Sequence, residues 1–167
     1  VVEAFEGVRS GKKLLMVGGA PFAADYIAKM KQTRDPRILF PGPLYGPLYA
    51  ALRANAYVYI NAMEVGGTHP AILEAMGAGN CVLVSDIAYN TEAVADAGVN
   101  FKNKDAGDLR EKLQWLEDNP EAVRAYGDRA VQRVQTEYDW ERVVDAYERL
   151  FEGLLRKEPA DALAHMG

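Results

Sequence analysis

The sequence is poor in the residues that build disulfides and metal sites. Its 167 residues include one cysteine, Cys81, and two histidines, His69 and His165. A single cysteine excludes an internal disulfide, and one cysteine with two distant histidines does not form a metal site. The carboxylates also lack the spacing of metal ligands, so we expect a protein that needs no metal or other cofactor. Cys81 stands at the head of an apolar run and is predicted to be buried and unreactive.

Basic residues are also in deficit, with 19 lysines and arginines against 24 aspartates and glutamates and a formal net charge of −5. Without a basic stripe to meet phosphates, nucleic acid is not expected as a partner. The acidic balance still allows a phosphate ligand that is held by backbone amides. No apolar run approaches the roughly 18 residues of a membrane span. Since no signal peptide is visible either, the expected location is cytoplasmic.

The motifs of several enzyme classes are missing. Neither Gly18-Gly19-Ala20-Pro21 nor the loop before His69 has the glycine spacing of the dinucleotide fingerprint or of the P-loop, which also needs a lysine. No nucleophile elbow is present. The sequence therefore predicts a binding cleft without an evident set of catalytic side chains.

The chain does contain short apolar strands that alternate with helical segments. Strands are predicted at 14–17, 37–40, 56–60, 82–85 and 99–102. Helices are predicted between them, and three more close the chain after residue 105. This alternation is typical of the α/β class, with a Rossmann-like parallel sheet and helices on both faces. We assign residues 1–157 to this domain and expect 158–167 to be a frayed tail.

Helix starts and faces are predicted from local signals. Asn90 or Thr91 is expected to cap the helix over 90–96. Leu109, Leu113 and Leu116 recur at the spacing of one helical face and are predicted to be buried.

Three glycine-bearing loops follow predicted strand ends. They contain Gly18-Gly19, Gly42 and Gly66-Gly67. In open α/β sheets, ligands bind outside the carboxyl ends of the strands. Each loop alone is weak evidence, because glycine also serves plain turns, but together the three outline a cleft.

The stretch from Gly66 to Ser85 organises the rest of the chain, because it runs from a glycine turn through a short helix into an apolar strand. Thr68 or His69 is predicted at the N-cap, with Pro70 at the first helical position. Free backbone N–H groups at such a helix start suit a phosphate. His69 is also a candidate general base, although its position favours a capping or loop role.

Glu74 lies in the second turn of that helix, on the side opposite Ile72, Leu73 and Met76. Two interpretations are open. The carboxylate is either a solvated surface group, which spacing alone favours, or an acceptor at the floor of a pocket, which the glycine turn upstream favours.

These residues resemble a known family. A strand followed by Gly18-Gly19-Ala20-Pro21, a second strand with a Pro-Gly loop, and the run 66–79 are similar to the C-terminal domain of retaining GT-B glycosyltransferases of family 4 (group 1). The variant at 64–76 most resembles the bacterial rhamnosyltransferase-like branch. The resemblance covers 14–101, and the segment at 138–140 extends it.

The resemblance implies a domain that binds a nucleoside-diphosphate sugar without a metal ion. Glu74 matches the second glutamate of the family's paired motif, which holds the ribose hydroxyls. The other implied donor-binding residues match loops that meet the sugar, the phosphates or the base: Gly18, Gly19, Pro43, Leu44, Gly66, Gly67, Thr68, His69, Pro70, Ala71, Ile72 and Leu73.

Two departures from the family pattern stand out. The motif's first glutamate falls on Gly66, which removes the usual carboxylate contact to the donor sugar, and the sequence leaves open whether Glu64, two residues earlier, replaces it. The family's acceptor-binding N-terminal domain and its basic loop would precede Val1. We therefore expect this chain to be inactive alone, and any association with the inner membrane to come through the missing domain.

The resemblance implies transfer of a sugar from a nucleoside diphosphate to a glycan or a lipid-linked acceptor. Two alternatives remain. One is a related Rossmann-like domain that binds a nucleotide or a partner and has lost catalysis through Gly66. The other is a different GT-B chemistry, such as sugar-nucleotide epimerisation.

Overall fold

A computed structural model describes residues 1–64, 67 and 69–156. The strands are β1 (Leu14–Val17), β2 (Ile38–Gly42), β3 (Val58–Asn61), β4 (Cys81–Ser85) and β5 (Val99–Phe101). The helices are α1 (Val2–Glu6), α2 (Ala24–Met30), α3 (Gly46–Ala54), α4 (Pro70–Gly77), α5 (Ala88–Val94), α6 (Ala106–Asp118), α7 (Pro120–Glu137) and α8 (Trp140–Leu155). Short 3-10 helices cover Pro21–Ala23 and Ala95–Ala97. The tail predicted at 158–167 lies outside the described residues.

All the strand pairs are parallel, which confirms the predicted α/β class. The hydrogen bonds divide the strands into two sheets, with β1 beside β2 and with the order β3-β4-β5 in the other. Leu14 is in register with Ile38, and Val58 with Cys81. The β1–β2 ladder is irregular between Leu15 and Val17, at the end of the strand that leads into the glycine loop.

Helices cover both faces of the three-stranded sheet, as β4 shows directly. All five residues of β4 are buried. Cys81 and Leu83 pack into a cluster with α1, α6 and the two-stranded sheet, whereas Val82 and Val84 pack into a second cluster with α4 and α5. Since successive side chains of a strand point to opposite faces, this division requires a covered surface on each side. Burial raises the pKa of the Cys81 thiol to about 12, so it stays neutral and unreactive.

The two sheets share the first of these clusters, and their strand starts lie close together. Leu14 and Ile38 pack in the same cluster as Cys81, and the Lys12 ammonium lies 3.9 Å from the centroid of the Tyr57 ring. Lys12 precedes β1 and Tyr57 precedes β3. With the strand starts at one edge, the carboxyl ends of β1, β2 and β3 face the other.

The closing helices differ in how they use their apolar side chains. Leu109, Leu113 and Leu116 of α6 are buried, as their spacing predicted. In contrast, α8 has no buried residue, and Trp140, Tyr147 and several other large apolar side chains on it are exposed. No helix among the described residues is both long and apolar enough to span a membrane.

The cap predicted for the helix over 90–96 is wrong. That helix is α5, which begins after Ile87 without a side-chain cap. Asn90 lies inside it and is fully buried, where its Nδ2 donates to the Ser85 Oγ over 3.0 Å. Its side chain therefore links two elements of the core instead of bonding the helix's own N–H groups. Thr91 also lies within α5, and its hydroxyl donates to the Ala88 carbonyl.

Candidate functional site

The first two glycine loops meet at the carboxyl ends of β1 and β2. The Gly18 N–H donates to the Gly42 carbonyl over 3.0 Å. Gly18 has φ +126° and Gly42 has φ +81°, backbone conformations that disfavour any residue with a Cβ. A Cβ on Gly19 would lie 3.4 Å from Pro43 Cγ, so the two loops are in van der Waals contact. The structure thus joins these predicted site residues.

Beside this contact, α2 and the two loops border an open groove of about 600 Å³. Its walls are formed by Gly19, Ala20, Ala24, Ile27, Ala28, Lys31, Pro43 and Tyr45. Most of the lining is apolar and Lys31 supplies a cation, so the groove suits a flat ring next to an anionic group.

The third loop reaches α4 through residues that are only partly described. Gly66 and Thr68, both predicted to bind the donor, lie outside the described residues. His69 occupies the N-cap position with an extended backbone, but its side chain makes no capping bond. Its Nε2 is instead buried and has no hydrogen-bond partner among the described residues. The start of α4 therefore has no side-chain cap from His69, and Pro70 occupies its first helical position.

The start of α4 offers fewer donors to an anion than the sequence predicted. Pro70 has no N–H, and the Ile72 N–H donates to the His69 carbonyl over 2.9 Å. The Ile72 side chain is fully buried in the second core cluster, and Leu73 packs against that cluster. These two side chains anchor the helix in the core, so the Ile72 side chain is not available to a ligand.

Glu74 has a charged partner that spacing alone did not suggest. Its side chain is 52% exposed, and its Oε2 accepts a hydrogen bond from Arg53 Nη1 at the end of α3. The Arg53 guanidinium also lies 5.3 Å from the centroid of the Tyr49 ring. Burial, together with neighbouring Tyr49, raises the pKa of Tyr59 to about 12, and the Glu74 carboxylate adds to the shift. The carboxylate is thus a paired and half-exposed group.

Buried polar side chains hold the loop after β3, a role that sequence analysis did not identify. Asn61 Oδ1 accepts from the Met63 N–H over 3.1 Å, and Ser85 Oγ donates to the Met63 carbonyl over 2.9 Å. Asn90 in turn donates to Ser85. The sequence signal of Asn61 and Ser85 is polarity at the end of an apolar strand, whereas Asn90 lies inside α5. Together they fix the direction in which the chain enters the loop.

Glu64, the candidate replacement for the missing first glutamate, is also paired. Its Oε2 lies 3.0 Å from Lys104 Nζ, and both side chains are largely exposed. Among the described residues, no three His, Cys, Asp or Glu side chains are grouped so that they could hold a metal ion.

Comparison with known proteins gives consistent matches. A family model described as "Glycosyl transferases group 1" matches residues 1–119. An uncharacterized glycosyltransferase of Methanocaldococcus jannaschii is 23% identical over 108 residues, which cover 64% of this chain and 28% of that protein.

Two solved structures superpose over nearly the whole chain. Sucrose-phosphate synthase from Thermosynechococcus elongatus gives a TM-score of 0.79 at 21% identity, covering 94% of this chain and 42% of that one. Anabaena HepE in complex with UDP gives 0.79 at 19% identity, covering 93% and 44%. These likenesses establish the fold, and the chain spans less than half the length of each of these relatives.

Proposed function

Because this chain belongs to the group 1 glycosyltransferases, we propose that it is the donor-binding domain of a retaining enzyme of that group. The enzyme transfers a sugar from a nucleoside-diphosphate sugar to a glycan or a lipid-linked acceptor. An acceptor-binding domain, in the part of the relatives that this chain does not span, completes the cleft. The exposed apolar face of α8 supports such a partner, since large apolar side chains are seldom left in water. The cytoplasmic location and the rhamnosyltransferase-like branch stay predictions.

The observation that carries this proposal is the position of the Glu74 carboxylate. It is half-exposed one turn into α4, the helix that follows β3 and the partly described third loop, and it accepts a hydrogen bond from Arg53. A carboxylate accepts hydrogen bonds only, so it suits two adjacent hydroxyls such as those of a ribose. With the ribose at Glu74, we place the base beside Pro43 and Leu44 and the diphosphate at the start of α4.

The experiment that tests the proposal is a calorimetric titration of the chain with UDP and with 2′,3′-dideoxy-UDP, each with and without EDTA. UDP is the first probe because it is bound in the Anabaena structure; GDP, ADP and dTDP complete the panel of bases. We expect UDP or another member of the panel to bind, the dideoxy form to bind more weakly, and EDTA to have no effect. Equal affinity for the ribo and dideoxy forms would contradict the ribose assignment, and loss of binding in EDTA would contradict metal independence.

Glu74→Ala is expected to weaken UDP binding at least tenfold. Charge-assisted hydrogen bonds contribute roughly 1.5–3 kcal/mol each when shielded from water, and ~1.4 kcal/mol is a factor of ten. Stability should change by less than about 1 kcal/mol, because the Glu74 end of the ion pair is half-exposed and such pairs contribute little. Calorimetry and thermal unfolding of the variant measure both effects. Glu117→Ala is the matched control, since it removes a carboxylate that pairs with Lys12 at the opposite edge. Unchanged UDP affinity in Glu74→Ala would make Glu74 a solvated surface group.

Gly67→Val is expected to weaken binding of UDP-glucose about tenfold, or ~1.4 kcal/mol, without lowering the melting temperature. A Cβ on Gly67 would meet no described atom within 4 Å. Since no described atom crowds this position, we expect the glycine to serve a ligand that approaches the backbone. Gly11→Val, also at an open position, is the control. A lower melting temperature with unchanged affinity would assign Gly67 to the turn alone.

A second candidate function is a related domain that binds nucleotide without transferring sugar. The observation in its favour is Gly66 at the position of the family's first glutamate. Both candidates predict the same nucleotide binding, and they differ in whether the complete protein turns over.

A further inference from the structure

We propose that Arg53 is a positioning residue that holds the Glu74 carboxylate ready for the ribose hydroxyls. This inference rests on the proposed function, because it assumes that Glu74 meets a ribose. It assigns to α3 a part in selecting ribonucleotides over nucleotides that lack the hydroxyls.

The contact is between two elements that the fold brings together. Arg53 lies in the last turn of α3, 21 residues before Glu74 in α4, and its Nη1 donates to the Glu74 Oε2. The two side chains differ in burial, with 21% of Arg53 exposed against 52% of Glu74. The arginine is the anchored partner and the carboxylate is the group that faces solvent.

Arg53 has a contact besides the ion pair, because its guanidinium lies 5.3 Å from the centroid of the Tyr49 ring. Its Nε is enclosed by the protein, although it donates to no partner among the described residues. A guanidinium confined in this way has few alternative rotamers. It therefore confines the one carboxylate that it touches.

The pairing leaves the carboxylate able to bind a ligand. An ionised glutamate has two oxygens with about four acceptor positions, and Arg53 uses one of these, on Oε2. The remaining positions include all of Oε1, which is enough for two hydroxyl donors. An exposed glutamate without a partner samples many rotamers, and binding would have to order it. Arg53 orders it beforehand, which is the usual gain from preorganisation.

The test compares UDP with 2′,3′-dideoxy-UDP in wild type, Arg53→Met, Arg53→Lys, Glu74→Ala and the double variant. The two ligands carry the same diphosphate, so loss of a positive charge affects both alike. We expect Arg53→Met to weaken UDP binding three- to tenfold and to leave the dideoxy form within twofold of wild type. Arg53→Lys should restore most of the UDP affinity. In the Glu74→Ala background, Arg53→Met should have no further effect.

Three results would overturn the proposal. Equal weakening of both ligands would make Arg53 a structural residue or a general source of positive charge. Unchanged UDP affinity in Arg53→Met would leave the ion pair without a function in binding. Tighter UDP binding by Arg53→Met would mean that Arg53 competes with the ribose for Glu74. Lys12→Met, which removes a paired cation at the far edge, controls for the change in net charge. If Arg53→Met does not fold, Arg53→Gln replaces it and keeps a polar group in place of the buried Nε.

Failure of the proposed function gives a different pattern. In that case wild type would not distinguish the two ligands, and Glu74→Ala would change nothing. If only the Arg53 assignment fails, wild type would still bind UDP more tightly than 2′,3′-dideoxy-UDP. Glu74→Ala would still remove that difference.

Discussion

Gly127→Val is expected to destabilise the fold by about 3 kcal/mol, at the upper end of what overpacking of a core usually costs. Gly127 is buried in α7, where that helix crosses the turn between α4 and β4. A Cβ added there would lie 2.4 Å from the Gly79 carbonyl oxygen. Real Cβ atoms do not come so close to an oxygen. The α7 backbone fixes the position of the Cβ, and the oxygen belongs to the Gly79 backbone, so no side-chain rotation relieves the clash. The helix or the turn must move, and close-packed interiors resist such movement.

Gly153→Val is the matched control, because Gly153 is also a glycine inside a helix. A Cβ at Gly153 would meet nothing within 4 Å. Replacing glycine in an exposed helix gains a few tenths of a kcal/mol from helix propensity, so this variant should be slightly stabilised. Urea unfolding of both variants measures the difference. Equal stabilities would contradict the close approach of α7 to the turn at Gly79.

The contact at Gly127 has a consequence for the site. Gly79, whose φ is +81°, lies in the turn between α4 and β4. By holding this turn, α7 fixes the far end of the helix that carries Glu74. Gly127→Ala, which adds the clashing Cβ without the two methyl groups of valine, should therefore weaken UDP binding as well as stability.

The parts of the fold that could be predicted from the sequence are those that depend on local periodicity. The continuous apolar run of β4 predicted a strand buried on both faces, and the two core clusters that share it confirm this. The leucine spacing in α6 predicted its buried face. In both cases one element's own pattern carries the information, because burial repeats every second residue in a strand and every three to four in a helix.

The parts that failed depend on contacts between distant segments. Asn90 has the chemistry of a helix cap, but burial beside Ser85 gives it a better partner than its own helix N–H groups. For Glu74 the sequence left a surface and a pocket interpretation open and named no partner, because spacing along α4 says nothing of Arg53 on α3. Helix-start signals likewise did not show that the His69 imidazole makes no cap. Polar side chains have several possible partners, and only the tertiary structure selects one.

The largest effect that we expect is on turnover. The 167-residue chain alone should bind a nucleoside-diphosphate sugar and transfer none of it, whereas the complete protein should turn over. Enzymes accelerate their reactions by roughly 10⁶-fold or more, and most of this comes from positioning both reactants and stabilising the charge that develops between them. Among the described residues, Lys31 is the cation in the groove lining, and Arg53 on α3 is paired with Glu74. We therefore expect too little positive charge to stabilise the leaving diphosphate of the proposed reaction, and we expect the acceptor-binding half to supply the second wall of the cleft.

The measurement is release of UDP from UDP-glucose, or from the sugar nucleotide that the binding panel selects, with the chain alone and with a longer protein that supplies the acceptor-binding half. Glu74→Ala in the longer protein serves as the control, since it should lower turnover at subsaturating donor through weaker binding. Sugar transfer by the 167-residue chain alone would contradict the two-domain proposal. A longer protein that binds the donor and never turns over would instead favour the non-catalytic domain, in which Gly66 has removed the carboxylate contact to the sugar.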